Sequence, residues 1–144
     1  MLELTLVLNA LWFASAFHLF YLRRAVFAKL IVDRAHRDTP AYDTLVESGR
    51  FLGGFNLAFA VLNALLLLNL ATFDQPQQWA ILLFVNAVAH GSQFVGNVPI
   101  ALQNRRGKGV WVVMKGLMRW IFIIDFSLMT LNALLAANAF WGLI

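Results

Sequence analysis

The sequence predicts an all-α fold: an integral-membrane four-helix bundle made of two repeated helix pairs, with both termini non-cytoplasmic. Three observations predict it. The 144 residues are 61% hydrophobic and 12% charged, whereas about a quarter of the residues in a soluble domain carry charge. All 11 Lys and Arg fall in two zones, Arg23 to Arg50 and Arg105 to Arg119, which the positive-inside rule places in the cytoplasm. Finally, a tetrad Leu/Val-Asn-Ala-Leu/Val recurs around Asn9, Asn63, Asn86 and Asn132, once in each apolar segment.

The chain reads as one domain, residues 1–144, with spans near 3–23, 51–73, 79–102 and 117–142 and cytoplasmic connections at 24–50 and 103–116. Apolar runs of about 20 residues are long enough to cross the hydrocarbon core. Helices are expected because lipid offers no partner to exposed backbone groups, and no strand-like alternation is present. In the first span the basic residues follow the apolar run instead of preceding it, which fits a retained helix better than a cleaved signal. Residues 25–37 mix apolar and charged side chains at helical spacing up to the break at Thr39-Pro40, as an extension of the first helix lying on the membrane surface would. The segment 103–109 reads as a turn punctuated by glycine. Trp79 and Trp141 near one boundary, and Trp111 and Trp120 near the other, are expected to anchor at the interfaces. Met1, residues 73–78 and Ile144 are expected outside.

The second and fourth spans align without a gap from Arg50 and from Arg119, matching Asn56 to Asp125, Asn63 to Asn132 and Asn69 to Asn138. This reads as a parallel repeat about an axis along the membrane normal. The first and third spans then correspond through either Asn9/Asn86 or His18/His90, which demand different offsets.

Counting from the basic boundaries at about 1.5 Å per residue puts His18, Asn56, Asn97 and Asp125 in one layer, about 8–12 Å deep, and Asn9, Asn63, His90 and Asn132 in another, about 20 Å deep. Inward-facing amides of this kind hold helices together in lipid, where the hydrophobic effect does not. Asn86, His90, Gln93 and Asn97 share one face of the third span. Asn9 and His18 lie on opposite faces of the first, so only one of them faces the core.

Asp125 is the sharpest chemical signal, because a carboxylate within a span is a functional-site hypothesis by default. Its candidate partners are Arg119, Arg50 and His18, or Asn56 if the acid is protonated. Asp125 and His18 are the candidate acid–base pair; His90, Asn86, Gln93, Asn97, Asn56, Asn63, Asn132, Arg50 and Arg119 are the candidate ligand-binding residues. His90 is followed by Gly91 and Ser92, small residues beside which a flat ring could lie. With no cysteine, and no three His or carboxylate groups at one depth, no metal site is expected. A bis-histidine haem is disfavoured by the different depths of His18 and His90.

Arg34-Ala35-His36 before the second span, together with four spans and outward termini, resembles the membrane-associated eicosanoid and glutathione enzymes. Their motif runs Arg-Ala-His-x-Asn-x-x-Glu; here Asp38 and Ala41 stand in place of the last two residues, and Pro40 lies between them. The resemblance covers about eight residues and implies a trimeric membrane enzyme. The residues themselves point instead to an accessory subunit of a larger membrane assembly, or to a binder of an amphipathic ligand such as a lipid, a quinone or a His-ligated pigment. The expected setting is the bacterial inner membrane. Membrane lipids and other subunits or further copies of the chain are the expected partners, and the basic zones are not read as a nucleic-acid surface.

Overall fold

Pro40 opens a helix rather than breaking one. In the computed structural model, which describes residues 1–142, Thr39 is extended and its Oγ1 accepts a hydrogen bond from the Tyr42 N–H at 3.2 Å. Pro40 takes the first helical position, where its missing N–H would have had no partner. From there α3 (Pro40–Leu68) runs unbroken, starting well before the expected span. It ends where Asn69 leaves helical geometry, and Leu70–Thr72 form a 3₁₀ turn. The expected boundary at 73 is therefore too late.

The remaining long helices are α1 (Leu2–Phe17), prolonged by a π-helical turn at His18–Leu22, α4 (Pro76–Arg105) and α5 (Gly116–Phe140). All four are long and apolar enough to cross a membrane. Among the described residues there is no strand. By length and composition this is an integral membrane protein. Ile144, expected outside, lies beyond the described residues.

The short helix α2 (Arg24–Ile31) is separated from the π turn at the end of α1 by Arg23. Arg23 breaks the helical path, and α2 packs on α3, burying Phe27 and Ala28. Glu47 on α3 accepts from Arg24 at 3.0 Å and from Arg50 at 2.8 Å, so these cations are held by the fold's own acid. The Arg34–His36 triplet forms a 3₁₀ turn between α2 and α3. It therefore lies outside the four long helices.

Along its length α1 packs on α3, and α4 packs on α5. Gly49 and Gly53 make the first approach possible: a Cβ on Gly53 would lie 2.6 Å from Tyr21 Cβ and 2.8 Å from Tyr21 N, and one on Gly49 would lie 2.7 Å from Phe20 O. Small residues four apart let helix backbones meet in lipid, and here they meet the π turn. Gly53→Ala is therefore expected to destabilise the bundle by about 1–3 kcal/mol through overpacking against backbone. Gly54→Ala, which meets nothing within 4 Å, should be neutral or slightly stabilising. Thermal unfolding in detergent reads both, and equal effects would refute this packing.

At the end opposite the basic connections, Leu6, Leu66, Leu83, Leu135 and Ala139 form an apolar core. Trp79 belongs to it, 7% exposed, with its indole N–H donated to Phe73 O at 2.8 Å. It closes the 69–75 turn instead of anchoring at an interface. Trp120 and Trp141 remain largely exposed, as lipid-facing or interfacial residues would.

Candidate functional site

The four tetrads converge. Asn9, Asn63, Asn86 and Asn132 are each fully buried, one from every long helix. Three are oriented by their own helices: Asn63 Nδ2 donates to Phe59 O at 2.9 Å, Asn86 Nδ2 to Leu82 O at 3.0 Å and Asn132 Nδ2 to Leu128 O at 2.8 Å. A backbone carbonyl only accepts, so each of these amides has its nitrogen placed and its oxygen left to face a neighbour. Asn63 Nδ2 also donates to Asn86 Oδ1 at 2.8 Å.

Asn9 is oriented by these partners. Its Nδ2 donates to Asn63 Oδ1 at 3.1 Å and to Asn132 Oδ1 at 2.9 Å, while its Oδ1 accepts from Asn132 Nδ2 at 2.9 Å. The same Oδ1 lies 3.2 Å from His90 Nε2. Since that oxygen can only accept, His90 Nε2 carries a proton. The other ring nitrogen, Nδ1, lies 3.2 Å from Asp125 Oδ1, which also accepts from Trp12 Nε1 at 2.8 Å. One proton must then sit between Nδ1 and Oδ1, as imidazolium facing carboxylate or as carboxylic acid facing neutral imidazole. Without it two lone pairs would oppose each other.

Asp125 thus pairs with His90 and Trp12, not with Arg119, Arg50, His18 or Asn56. The reason is the α4–α5 pairing, which sets His90 against Asp125 and leaves the cations outside: Arg119 is exposed and Arg50 is bound to Glu47. Of the shallower layer only Asp125 joins the deeper one; Asn56 donates to Leu52 O, Asn97 donates to Gln93 O and accepts from Trp111, and His18 is exposed. His90 makes the link, touching Asn9 with one nitrogen and Asp125 with the other, a bridge that counting from separate helix ends does not reveal. Asn9 faces the core and His18 is exposed, so the geometry does not bring His18 and Asp125 together as an acid–base pair. His90 has Phe13 stacked on its ring at 4.5 Å, and Gly91 admits Met129 rather than a flat ligand. With both nitrogens engaged, His90 has no free lone pair for a pigment metal.

Toward the basic end the bundle opens. A cavity of about 450 Å³ is bounded by Phe13, Phe20, Phe55 and Phe59, with Asn56, Ser92, Gln93 and Asn97 among them. Trp111 closes one side, its indole N–H donated to Asn97 Oδ1 at 3.1 Å. This corrects the expectation that Trp111 is an interfacial anchor. Its loop is shaped by Asn104, which donates to Lys108 O and Trp111 O and accepts from Val113 N–H. A smaller cleft of about 160 Å³ lies between α1 and α5 against Asp125, Trp12, Ala16 and Ile121. Phe20 and Gln93 border both. Trp12 and Phe13 carry no expectation from the sequence. For Phe13 a signal existed, since it follows Asn9 by one helical turn and shares its face.

These features define a class of protein: a four-helix membrane bundle with a closed amide–histidine–carboxyl network at its centre and clefts at its basic end. Comparison with protein-family models, curated proteins and solved structures finds no match to this chain.

Proposed function

We propose that the protein binds an amphipathic lipid-soluble molecule in the larger cavity, alone or as an accessory subunit of a membrane assembly, with its basic end toward the cytoplasm. The cavity carries this reading. Ligand sites run to about 300–1,000 Å³, with mainly apolar walls and a few polar groups that fix orientation. Here four phenylalanines supply the walls and Asn56, Ser92, Gln93 and Asn97 the polar groups, which suits an uncharged head such as that of a quinone or a glycerolipid.

The internal repeat supports the same reading. One constant offset carries Trp12, Ser15, Ala16, Leu19 and Phe20, which line the small cleft, onto Ala89, Ser92, Gln93, Gly96 and Asn97, which line the large one. The offset that relates α3 to α5 carries Leu52 and Asn56 onto Ile121 and Asp125. We read the clefts as duplicated sites that have diverged, which favours Asn9/Asn86 over His18/His90 as the matching pair.

Gly96 lines the large cavity, and a Cβ there meets nothing within 4 Å. Gly96→Phe should therefore fill the cavity without disturbing the network. Native mass spectrometry of protein purified in mild detergent is expected to show a co-purifying molecule whose occupancy falls at least about tenfold in this variant, a change of about 1.4 kcal/mol or more in binding. Unchanged occupancy would defeat the proposal.

A further inference from the structure

We infer that the small cleft is a second site, and that it takes a neutral O–H donor carried on a ring-sized apolar body, such as a phenol or a cyclic alcohol. Asp125 is 1% exposed, and its Oδ2 is buried with no hydrogen-bond partner among the described residues. The side chain lines the cleft. A buried polar atom left without a partner calls for an explanation, and a bound group is one.

The network fixes the kind of group. Because His90 Nε2 must donate to Asn9, the one proton of the His90–Asp125 pair lies between Nδ1 and Oδ1, and Oδ2 is an acceptor whichever partner holds that proton. The missing partner is therefore a donor. With its single proton the pair is neutral overall, so an ammonium ion would bring an uncompensated charge into a low-dielectric interior, at heavy cost. A neutral hydroxyl brings none.

Size and lining select the rest. About 160 Å³ is close to the roughly 150 Å³ apolar cavity that admits benzene. The walls include Leu19, Leu117 and Ile121. Ser15, also on the lining, spends its hydroxyl on Leu11 O. An isolated water would have two polar partners here, Oδ2 and Gln93, the fewest that hold a buried water.

The test uses the full chain in lipid nanodiscs, with the Trp12 indole N–H resonance as reporter because that group is bonded to Asp125 Oδ1. Phenol and cyclohexanol are titrated against anisole, which has the ring but no donor, and against benzylammonium. Saturable shifts with phenol or cyclohexanol, at least tenfold tighter than with anisole or benzylammonium, are expected; the stronger of the two alcohols shows whether the natural head is aromatic or aliphatic. Ala16→Phe, or Ile121→Phe should the first fail to fold, is expected to abolish the shift, whereas Gly96→Phe should leave it intact. Equal binding of anisole, or no saturable shift with any probe, would overturn the inference. A shift abolished by Gly96→Phe but not by Ala16→Phe would also overturn it, while leaving the proposal for the larger cavity standing.

Discussion

Asn9→Leu is expected to unfold the bundle or leave it barely stable. Asn9 is the one side chain bonded to three others of the network, so leucine strands Asn63 Oδ1, Asn132 Oδ1 and the His90 Nε2–H together. Each buried group left unpaired costs about 1–3 kcal/mol, giving a loss of about 3 kcal/mol or more from a total of about 5–15 kcal/mol. Measured net values for single interhelical hydrogen bonds in membranes average about 0.6 kcal/mol, because partners can relax. Three groups stranded around one fully buried position have less room to do so. Thermal unfolding in detergent should separate Asn9→Leu clearly from Ser127→Ala, which touches only an exposed bond to Ile123 O and should stay within about 0.5 kcal/mol. A near-neutral Asn9→Leu would mean that the amides do not hold the helices.

Asp125→Asn is expected to be costly even though the two side chains are nearly isosteric. Oδ1 of Asp125 faces two groups at once: it accepts from Trp12 Nε1 and shares the single proton with His90 Nδ1. A carboxylate oxygen accepts from both, and a carboxylic O–H donates to one while accepting from the other. An amide atom does only one of these things. With its oxygen there, the protonated His90 loses its counter-charge; with its nitrogen there, two donors confront each other at Trp12. The expected loss is about 1–3 kcal/mol for one group left unsatisfied. Trp12→Phe removes the indole donor, so adding it to Asp125→Asn should recover part of that loss, as measured by a double-mutant cycle in the same unfolding assay. Additive losses would refute the geometry. Asn56, which the gap-free alignment sets against Asp125, has a simpler task, donating to Leu52 O beside the larger cavity.

The number of spans and the inward direction of the amides were legible because both are one-dimensional signals: hydropathy over about 20 residues, and residues sharing a helix face. Asn86 and His90 were placed together on that basis, and the structure buries both, while Gln93 and Asn97 of the same stripe border the cavity. What the sequence did not disclose is which side chains meet across the helices. The partner of Asp125 depends on α4 lying against α5, and no local pattern around Asp125 carries that information. The same holds for Trp79 and Trp111. Both sit near span ends, as interfacial tryptophans do, but backbone placement turns one toward Phe73 O and the other toward Asn97. The extra turns of α3 escaped because Thr39-Pro40 was read as a stop, when the same pair starts a helix if the threonine caps it.

The direction of the network underlies both the Asp125→Asn expectation and the second site, and the protonation of the His90 ring reads that direction most directly. In ¹⁵N-histidine-labelled protein in lipid bilayers, with His18 and His36 replaced by glutamine, His90 Nε2 is expected to bear a proton both in the neutral ring and in the imidazolium. A neutral ring protonated at Nδ1, with a bare Nε2 facing Asn9, would contradict the account.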